Sequence, residues 1–202
     1  SGSYDHRLNT LYWTTGNPWP DFEGDVRPGD NLYSNCVLAI DPDKGKLKWY
    51  FQFMPHDMHD WDANEVPILI NTVWQTNPRK LLMQANRNGF FYVLDRTDGE
   101  FLFGKPFVKK LTWASALNSR GRPIEIPGMN DGWGNDKQKG VCPGLVGATN
   151  WMSPSYNPET GLFYVVVLES CDMERGQYHI RAINPHDGSI RWDYSMSGSA
   201  NT

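Results

Sequence analysis

One pattern recurs along this chain and limits what it can fold into. Ala39-Ile40-Asp41-Pro42-Asp43-Lys44-Gly45-Lys46-Leu47-Lys48-Trp49 is matched by Ala182-Ile183-Asn184-Pro185-His186-Asp187-Gly188-Ser189-Ile190-Arg191-Trp192. Val93-Leu94-Asp95-Arg96-Thr97-Asp98-Gly99-Glu100-Phe101-Leu102-Phe103 is a weaker copy. In each, an apolar run ends at an Asp or Asn turn containing Gly, and a second run carries an aromatic. That is hairpin chemistry, because Gly supplies positive φ and the Asp or Asn side chain closes the turn. A looser pairing sets Ser3-Tyr4-Asp5 and Leu11-Tyr12 against Ser155-Tyr156-Asn157 and Leu162-Phe163. The runs Cys36–Ile40, Leu47–Phe51 and Leu162–Leu168 are bounded by turn residues and read as strands.

Aromatics make up 13% of the 202 residues, with nine Trp, 19 Gly and 14 Pro. This suits short strands and many turns better than a helix bundle, so the class expected is all-β. Repeated hairpins with a recurrent Trp predict propeller blades, each using the next as its second wall. At about 40–50 residues per blade the chain holds roughly four. The irregular stretch from Lys109 to Pro143 lowers the expectation to about three. A propeller ring closes with about four blades or more, so a partial propeller is expected. Lys plus Arg number 19 against 23 acidic residues, a net charge of −4 with no long basic run. That argues against a nucleic-acid partner. No apolar run is long enough for a membrane-spanning helix. No charged-then-apolar segment opens the chain, which places any export signal outside it.

The densest polar cluster is Pro55-His56-Asp57-Met58-His59-Asp60-Trp61-Asp62-Ala63-Asn64-Glu65. On composition alone it could be a solvated loop. A zinc site would use His56 and His59, although no Cys is near. A hard-cation site would use Asp60 and Asp62 with an amide oxygen from elsewhere. Asn17, in Thr14-Thr15-Gly16-Asn17-Pro18-Trp19-Pro20, is one such amide, and in isolation that segment is an ordinary Asn-Pro turn. Asn86-Arg87-Asn88-Gly89 before Phe90-Phe91-Tyr92 reads in isolation as a hairpin turn with a solvated Arg.

Taken in order, these segments carry a resemblance. Asn17-Pro18, Arg27-Pro28-Gly29-Asp30-Asn31-Leu32-Tyr33, Pro55-His56-Asp57 with Asp60, Asn86-Arg87-Asn88-Gly89 and Gly147-Ala148-Thr149-Asn150-Trp151 closely resemble the pyrroloquinoline quinone (PQQ)-dependent alcohol dehydrogenases. These quinoproteins are eight-bladed propellers, and the resemblance runs over essentially all of the chain. It implies that residues 1–202 are part of the catalytic propeller, about three to four blades. It further implies that Asn17 is an amide ligand to the metal, Asp60 the catalytic base and a metal neighbour, and Arg87 the basic residue on the quinone oxygens. Asn150 matches a cofactor-contacting Asn, with Trp151 beside it. Asp62 resembles the extra carboxylate of the lanthanide-using branch, where calcium enzymes have Ala, so Ca²⁺ and a lanthanide both stay open. His59 stands where relatives often carry Trp. The Trp that stacks under the quinone and the Glu metal ligand are expected upstream of Ser1, which leaves part of a site here.

The cysteines are Cys36, Cys142 and Cys171. Three cannot all pair within one chain. Cys142-Pro143 with Glu169-Ser170-Cys171 resembles a disulfide of methanol dehydrogenase relatives, which would suit a periplasmic enzyme; two buried thiols are the alternative. Cys36 reads as a small core residue. The function implied is oxidation of a small alcohol to an aldehyde, with electrons passed to a cytochrome c or another acceptor. A sugar or polyol dehydrogenase of the same superfamily is a second possibility. A cofactor-free propeller acting as a binding scaffold fits the repeats equally well, but has no need of Asn17, Asp60, Arg87 and Asn150 together.

Overall fold

The computed structural model describes residues 2–130, 140–171 and 176–199. Among them the regular structure is strand, apart from a single 3-10 turn at Gly24–Val26. Three four-stranded antiparallel meanders follow one another. The first holds β1 (Gly2–Asp5), β2 (Thr10–Thr14), β3 (Cys36–Asp41) and β4 (Lys46–Gln52). The second holds β5 (Ile68–Trp74), β6 (Asn77–Ala85), β7 (Phe90–Asp95) and β8 (Phe101–Pro106). Within the stretch expected to be irregular, β9 (Ala114–Leu117) and β10 (Pro123–Glu125) pair as a separate hairpin. The third meander holds β11 (Ser155–Asn157), β12 (Leu162–Glu169), β13 (Gln177–Ile183) and β14 (Ile190–Ser199).

The sequence repeats occupy equivalent places in the three sheets. Ala39 pairs with Trp49, Val93 with Phe103 and Ala182 with Trp192, always across the hairpin that joins the last two strands. These hairpins also join sheet to sheet. A β-carbon on Gly99 would lie 2.7 Å from the Trp49 ring, and one on Gly188 would lie 2.9 Å from the Phe103 ring. The turns of the second and third sheets thus pack against the aromatic of the sheet before each, which explains why glycine and aromatic recur as a pair.

Period-two alternation builds the core. β7 is buried along its whole length. Its Phe90, Tyr92 and Leu94 enter one cluster with Tyr12, Val37, Ala39 and Phe51 of the first sheet. Phe91 and Val93, on the opposite face, enter a second cluster with Phe163, Val165 and Val167 of the third. The middle sheet therefore has a neighbour on each side, as a propeller blade does. The first two sheets are also pinned by a buried ion pair. Arg96 Nε donates to Asp5 Oδ2 at 2.7 Å, and Tyr12 Oη donates to the Arg96 carbonyl at 2.7 Å.

In such meanders the second-to-third-strand connections and the links between sheets emerge at one end, and the remaining hairpins at the other. Asn17 follows β2, Asp60 and Asp62 lie between β4 and β5, Arg87 lies between β6 and β7, and Asn150 precedes β11. All the candidate site residues are brought to the same end.

Candidate functional site

The 55–65 segment is packed, not a solvated loop. Asp57, His59, Trp61, Ala63 and Glu65 are buried, while Asp60, Asp62 and Asn64 are only partly so. Such alternation puts the apolar rings into the core and leaves two carboxylates on the more open side. Asp57 shapes the turn. Its Oδ1 accepts from His59 N–H at 2.8 Å, and its Oδ2 accepts from Trp61 N–H at 2.8 Å and Asn35 Nδ2 at 2.9 Å. Asp60, held between those two donors, takes a left-handed φ of 59°, a conformation Asp tolerates better than most residues. His59 stacks on Trp61 with ring centroids 4.0 Å apart, and so serves the core. His56 Nδ1 lies 2.8 Å from the Gly29 carbonyl. The two imidazoles have separate surroundings, and no group of three His, Cys, Asp or Glu side chains converges as a metal cage among the described residues.

Asp62 joins Asn17 to Arg87. Its Oδ1 accepts the Asn17 backbone N–H at 2.7 Å, and its Oδ2 faces Arg87 NH1 at 3.2 Å. Arg87 is not the solvated arginine of a simple turn, being only 6% exposed. The turn that carries it is closed by Asn88 N–H on Asn86 Oδ1 and by Phe90 N–H on Asn88 Oδ1. From the other side, Arg87 NH2 donates to the Leu145 carbonyl at 3.2 Å, and Ala148 N–H donates to the Arg87 carbonyl at 2.8 Å. Gly147, at φ 83°, has no room for a β-carbon, which would sit 2.7 Å from Arg87 Cβ. The Gly147-Ala148-Thr149-Asn150 segment is thus laid directly on the arginine. Asn150 Nδ2 donates to the Val146 carbonyl at 3.3 Å, and its Oδ1 accepts Trp151 N–H at 2.8 Å. Trp151 itself is 71% exposed and is not packed onto the others.

The same loop is tied down at its start. Cys142 and Cys171 are disulfide-bonded, and Cys36 is a buried free thiol. Gly144 N–H donates to the Ser170 carbonyl at 3.1 Å, while its own carbonyl accepts Trp61 Nε1 at 2.9 Å. A bridge closing a loop of this size contributes about 3–4 kcal/mol by limiting the unfolded chain.

Burial lifts the Asp60 carboxyl to about 6; Arg87 pulls it down, and the neighbouring Asp62, Asp21 and Asp57 push it further up. Neither Asp60 carboxylate oxygen receives a hydrogen bond among the described residues. Two further atoms are open. Arg87 Nε is buried without a hydrogen-bond partner among the described residues, a donor that a quinone or carboxylate oxygen would satisfy. The Asn17 NH2 donates to Asp21 Oδ1 at 2.9 Å and to the Pro18 carbonyl at 3.3 Å, which leaves its carbonyl oxygen as the free end. An amide oxygen beside carboxylates is the donor set a hard cation takes. These residues fit a PQQ and metal pair.

Three residues that carry the geometry escape the sequence reading. Arg27 is buried and donates to Pro20 O at 2.8 Å, Asp21 O at 2.7 Å, Asn31 Oδ1 at 2.6 Å and the Asp57 carbonyl. It thereby fastens the Asn17 loop to the Asp60 loop. Glu65 is 2% exposed, with neither carboxylate oxygen hydrogen-bonded among the described residues. Asp21 holds the Asn17 amide. Arg27 and Glu65 lie in segments that the sequence singles out, Arg27-Pro28-Gly29-Asp30 and the Pro55-to-Glu65 cluster, without a role attached, whereas Asp21 carries no signal.

Comparison with known proteins gives a consistent result. The family model for the PQQ-binding glucose/ethanol/alcohol dehydrogenase β-propeller domain matches residues 1–109. The quinoprotein alcohol dehydrogenase PedH of Pseudomonas putida is 47% identical over 170 residues, 81% of this chain and 28% of that protein. A lanthanide-dependent methanol dehydrogenase of Methylorubrum extorquens is 34% identical over 206 residues, 98% of this chain and 34% of that protein. The crystal structure of the quinohemoprotein alcohol dehydrogenase from Comamonas testosteroni superposes with a TM-score of 0.89 at 32% identity, over 97% of this chain and 34% of that one. The chain therefore spans about a third or less of the length of these relatives. With its three blade-like sheets and the matching family model, the chain belongs to the PQQ-dependent alcohol dehydrogenase β-propeller family.

Proposed function

We propose that this chain carries part of the active site of a PQQ-dependent dehydrogenase that oxidises a small alcohol to its aldehyde. The observation that carries the reading is the convergence at one end of the sheets of three groups left open among the described residues: the half-buried Asp60 carboxylate, the buried Arg87 with its Nε donor unpaired, and the Asn17 amide with its oxygen free. A cofactor-free scaffold has no use for a buried N–H without a partner, which costs about 1–3 kcal/mol to leave unsatisfied.

When bound, PQQ supplies a two-electron acceptor and the metal a Lewis acid. Asn17 and Asp60 would hold the cation, with Asp62 beside them adding the negative charge that favours a trivalent ion over Ca²⁺. Arg87 would hold the quinone oxygens, and Asn150 and Trp151 the cofactor's edge. Asp60 would take the proton from the alcohol hydroxyl, while the hydride leaving the carbinol carbon would carry the other hydrogen and both electrons to the two-electron acceptor that bound PQQ supplies. A carboxyl near 6 is largely ionised at neutral pH, and a cation beside it would ionise it further. The Cys142–Cys171 bridge suits an oxidising compartment, here the periplasm, where a cytochrome c or similar carrier would take the electrons. No helix among the described residues is long and apolar enough to cross a membrane.

The test is Asp60→Asn in the protein at its native full length. Ethanol turnover with an artificial acceptor should fall about 10²–10⁴-fold, the range of a general base, while quinone absorbance shows PQQ still bound. Unchanged turnover would remove Asp60 from this role.

A further inference from the structure

The Asn17 amide could in principle present either limb to a cation, and only its carbonyl oxygen can ligate one. What decides between them is Asp21. Its Oδ1 lies 2.9 Å from Asn17 Nδ2, and the Pro18 carbonyl lies 3.3 Å from the same nitrogen. Both neighbours are acceptors. Turning the amide over would set its oxygen against a carboxylate oxygen and a carbonyl, losing both bonds and adding repulsion. The orientation with the NH2 on Asp21 is therefore the one the surroundings enforce.

Asp21 is itself fixed. Arg27 NH2 donates to the Asp21 carbonyl and Arg27 Nε to Pro20 O, while the same guanidinium reaches the Asp57 carbonyl of the Asp60 loop. The peptide of Asn17 is fixed independently by Asp62. Backbone and side chain of the amide are thus held by two different carboxylates. Neither carboxylate needs to move for the carbonyl oxygen to stay free.

We propose that Asp21 is a positioning residue of the metal site, which orients the Asn17 amide so that its oxygen is the atom offered to the cation. This rests on the functional reading above, in which Asn17 is a metal ligand. Partners that orient a ligand from behind typically change metal affinity about 10–100-fold when removed, and Asp21 should fall in that range.

Tb³⁺ luminescence, sensitised by nearby tryptophan, reads affinity directly in the full-length protein loaded with PQQ and stripped of metal, with no need of turnover. Asp21→Ala should weaken Tb³⁺ about 10-fold or more. Asp21→Asn keeps an acceptor oxygen for Asn17 Nδ2 and should recover most of that loss. In an Asn17→Ala background, Asp21→Ala should cause no further weakening. If Asp21→Asn binds as poorly as Asp21→Ala, charge and not orientation is at work, and the proposal falls. It falls equally if the two alanine substitutions add in full, since Asp21 would then act without Asn17. A wild-type protein that takes up PQQ but no Tb³⁺ or Ca²⁺ would overturn the metal reading itself, a different result from wild-type binding that Asp21→Ala leaves unchanged.

Discussion

Asp62 ties two sheets together at the site, because one of its oxygens accepts the Asn17 N–H from the β2–β3 loop and the other faces Arg87 from the β6–β7 turn. Removing it leaves the buried guanidinium with the Leu145 carbonyl as its remaining acceptor. Bonds to a charged group contribute about 1.5–3 kcal/mol. Asp62→Ala should lower stability by about that much in urea unfolding. On the proposed function it should also weaken a lanthanide more than Ca²⁺, since the lost charge counts more against a trivalent ion. Equal losses for the two ions would separate Asp62 from metal choice.

Arg27, like Asp62, joins separate connections at the site. Its guanidinium reaches four carbonyl-type oxygens contributed by two loops. Lysine offers a single point charge on a flexible stem and cannot reproduce a planar fork. Arg27→Lys should therefore cost about 2–3 kcal/mol in urea unfolding, with the Asn17 and Asp60 loops becoming the first segments to gain hydrogen exchange. A substitution that left both stability and exchange unchanged would show that the two loops are held by other contacts.

How far the sequence reaches is clear from these residues. The hairpin repeats are local, since each turn needs its own Gly and Asx, and so Ala39–Trp49 and Ala182–Trp192 could be read as equivalent. The family resemblance singles out Asn17, Asp60, Arg87 and Asn150, and what brings these residues to one end is non-local: four connections emerge at one end of three sheets. The β9–β10 hairpin was not legible, because Ala114–Leu117 and Pro123–Glu125 are short and lack a strong alternation. The burial of Arg87 was not legible either. A turn sequence fixes its backbone, while what covers its side chain comes from the Gly144–Ala148 segment far along the chain.

The glycine–aromatic contact between sheets can be tested with an internal control. Gly45 and Gly99 occupy equivalent hairpins at φ 62° and 83°. A β-carbon on Gly45 meets nothing within 4 Å, whereas one on Gly99 would press on Trp49 at 2.7 Å. Gly45→Ala should carry only the left-handed penalty of about 1–2 kcal/mol. Gly99→Ala adds an overpacking cost of about 1–3 kcal/mol and should melt lower than Gly45→Ala. Equal melting temperatures would show that the sheet-to-sheet contact yields without cost.

Glu65 gives the sharpest pH prediction. Burial holds its carboxyl well above the ordinary carboxylate range, with Arg87 too weak an influence to bring it back. Between the unfolded value and the raised folded one, the folded state therefore keeps a proton that the unfolded chain has lost. More protons bound in the folded state mean that stability falls as pH rises above the unfolded value of about 4.3. Glu65→Gln resembles the protonated form and has no proton to lose. It should melt higher than the wild type at pH 7, with the gap narrowing as pH falls towards about 4 and closing below it, where the wild-type carboxyl is protonated in both states. Thermal melts of the two proteins across that range isolate this one group, because every other titrating residue is common to both. A gap that stayed constant with pH would mean that Glu65 is ionised in the folded protein, held by a partner that its buried, unbonded oxygens do not show.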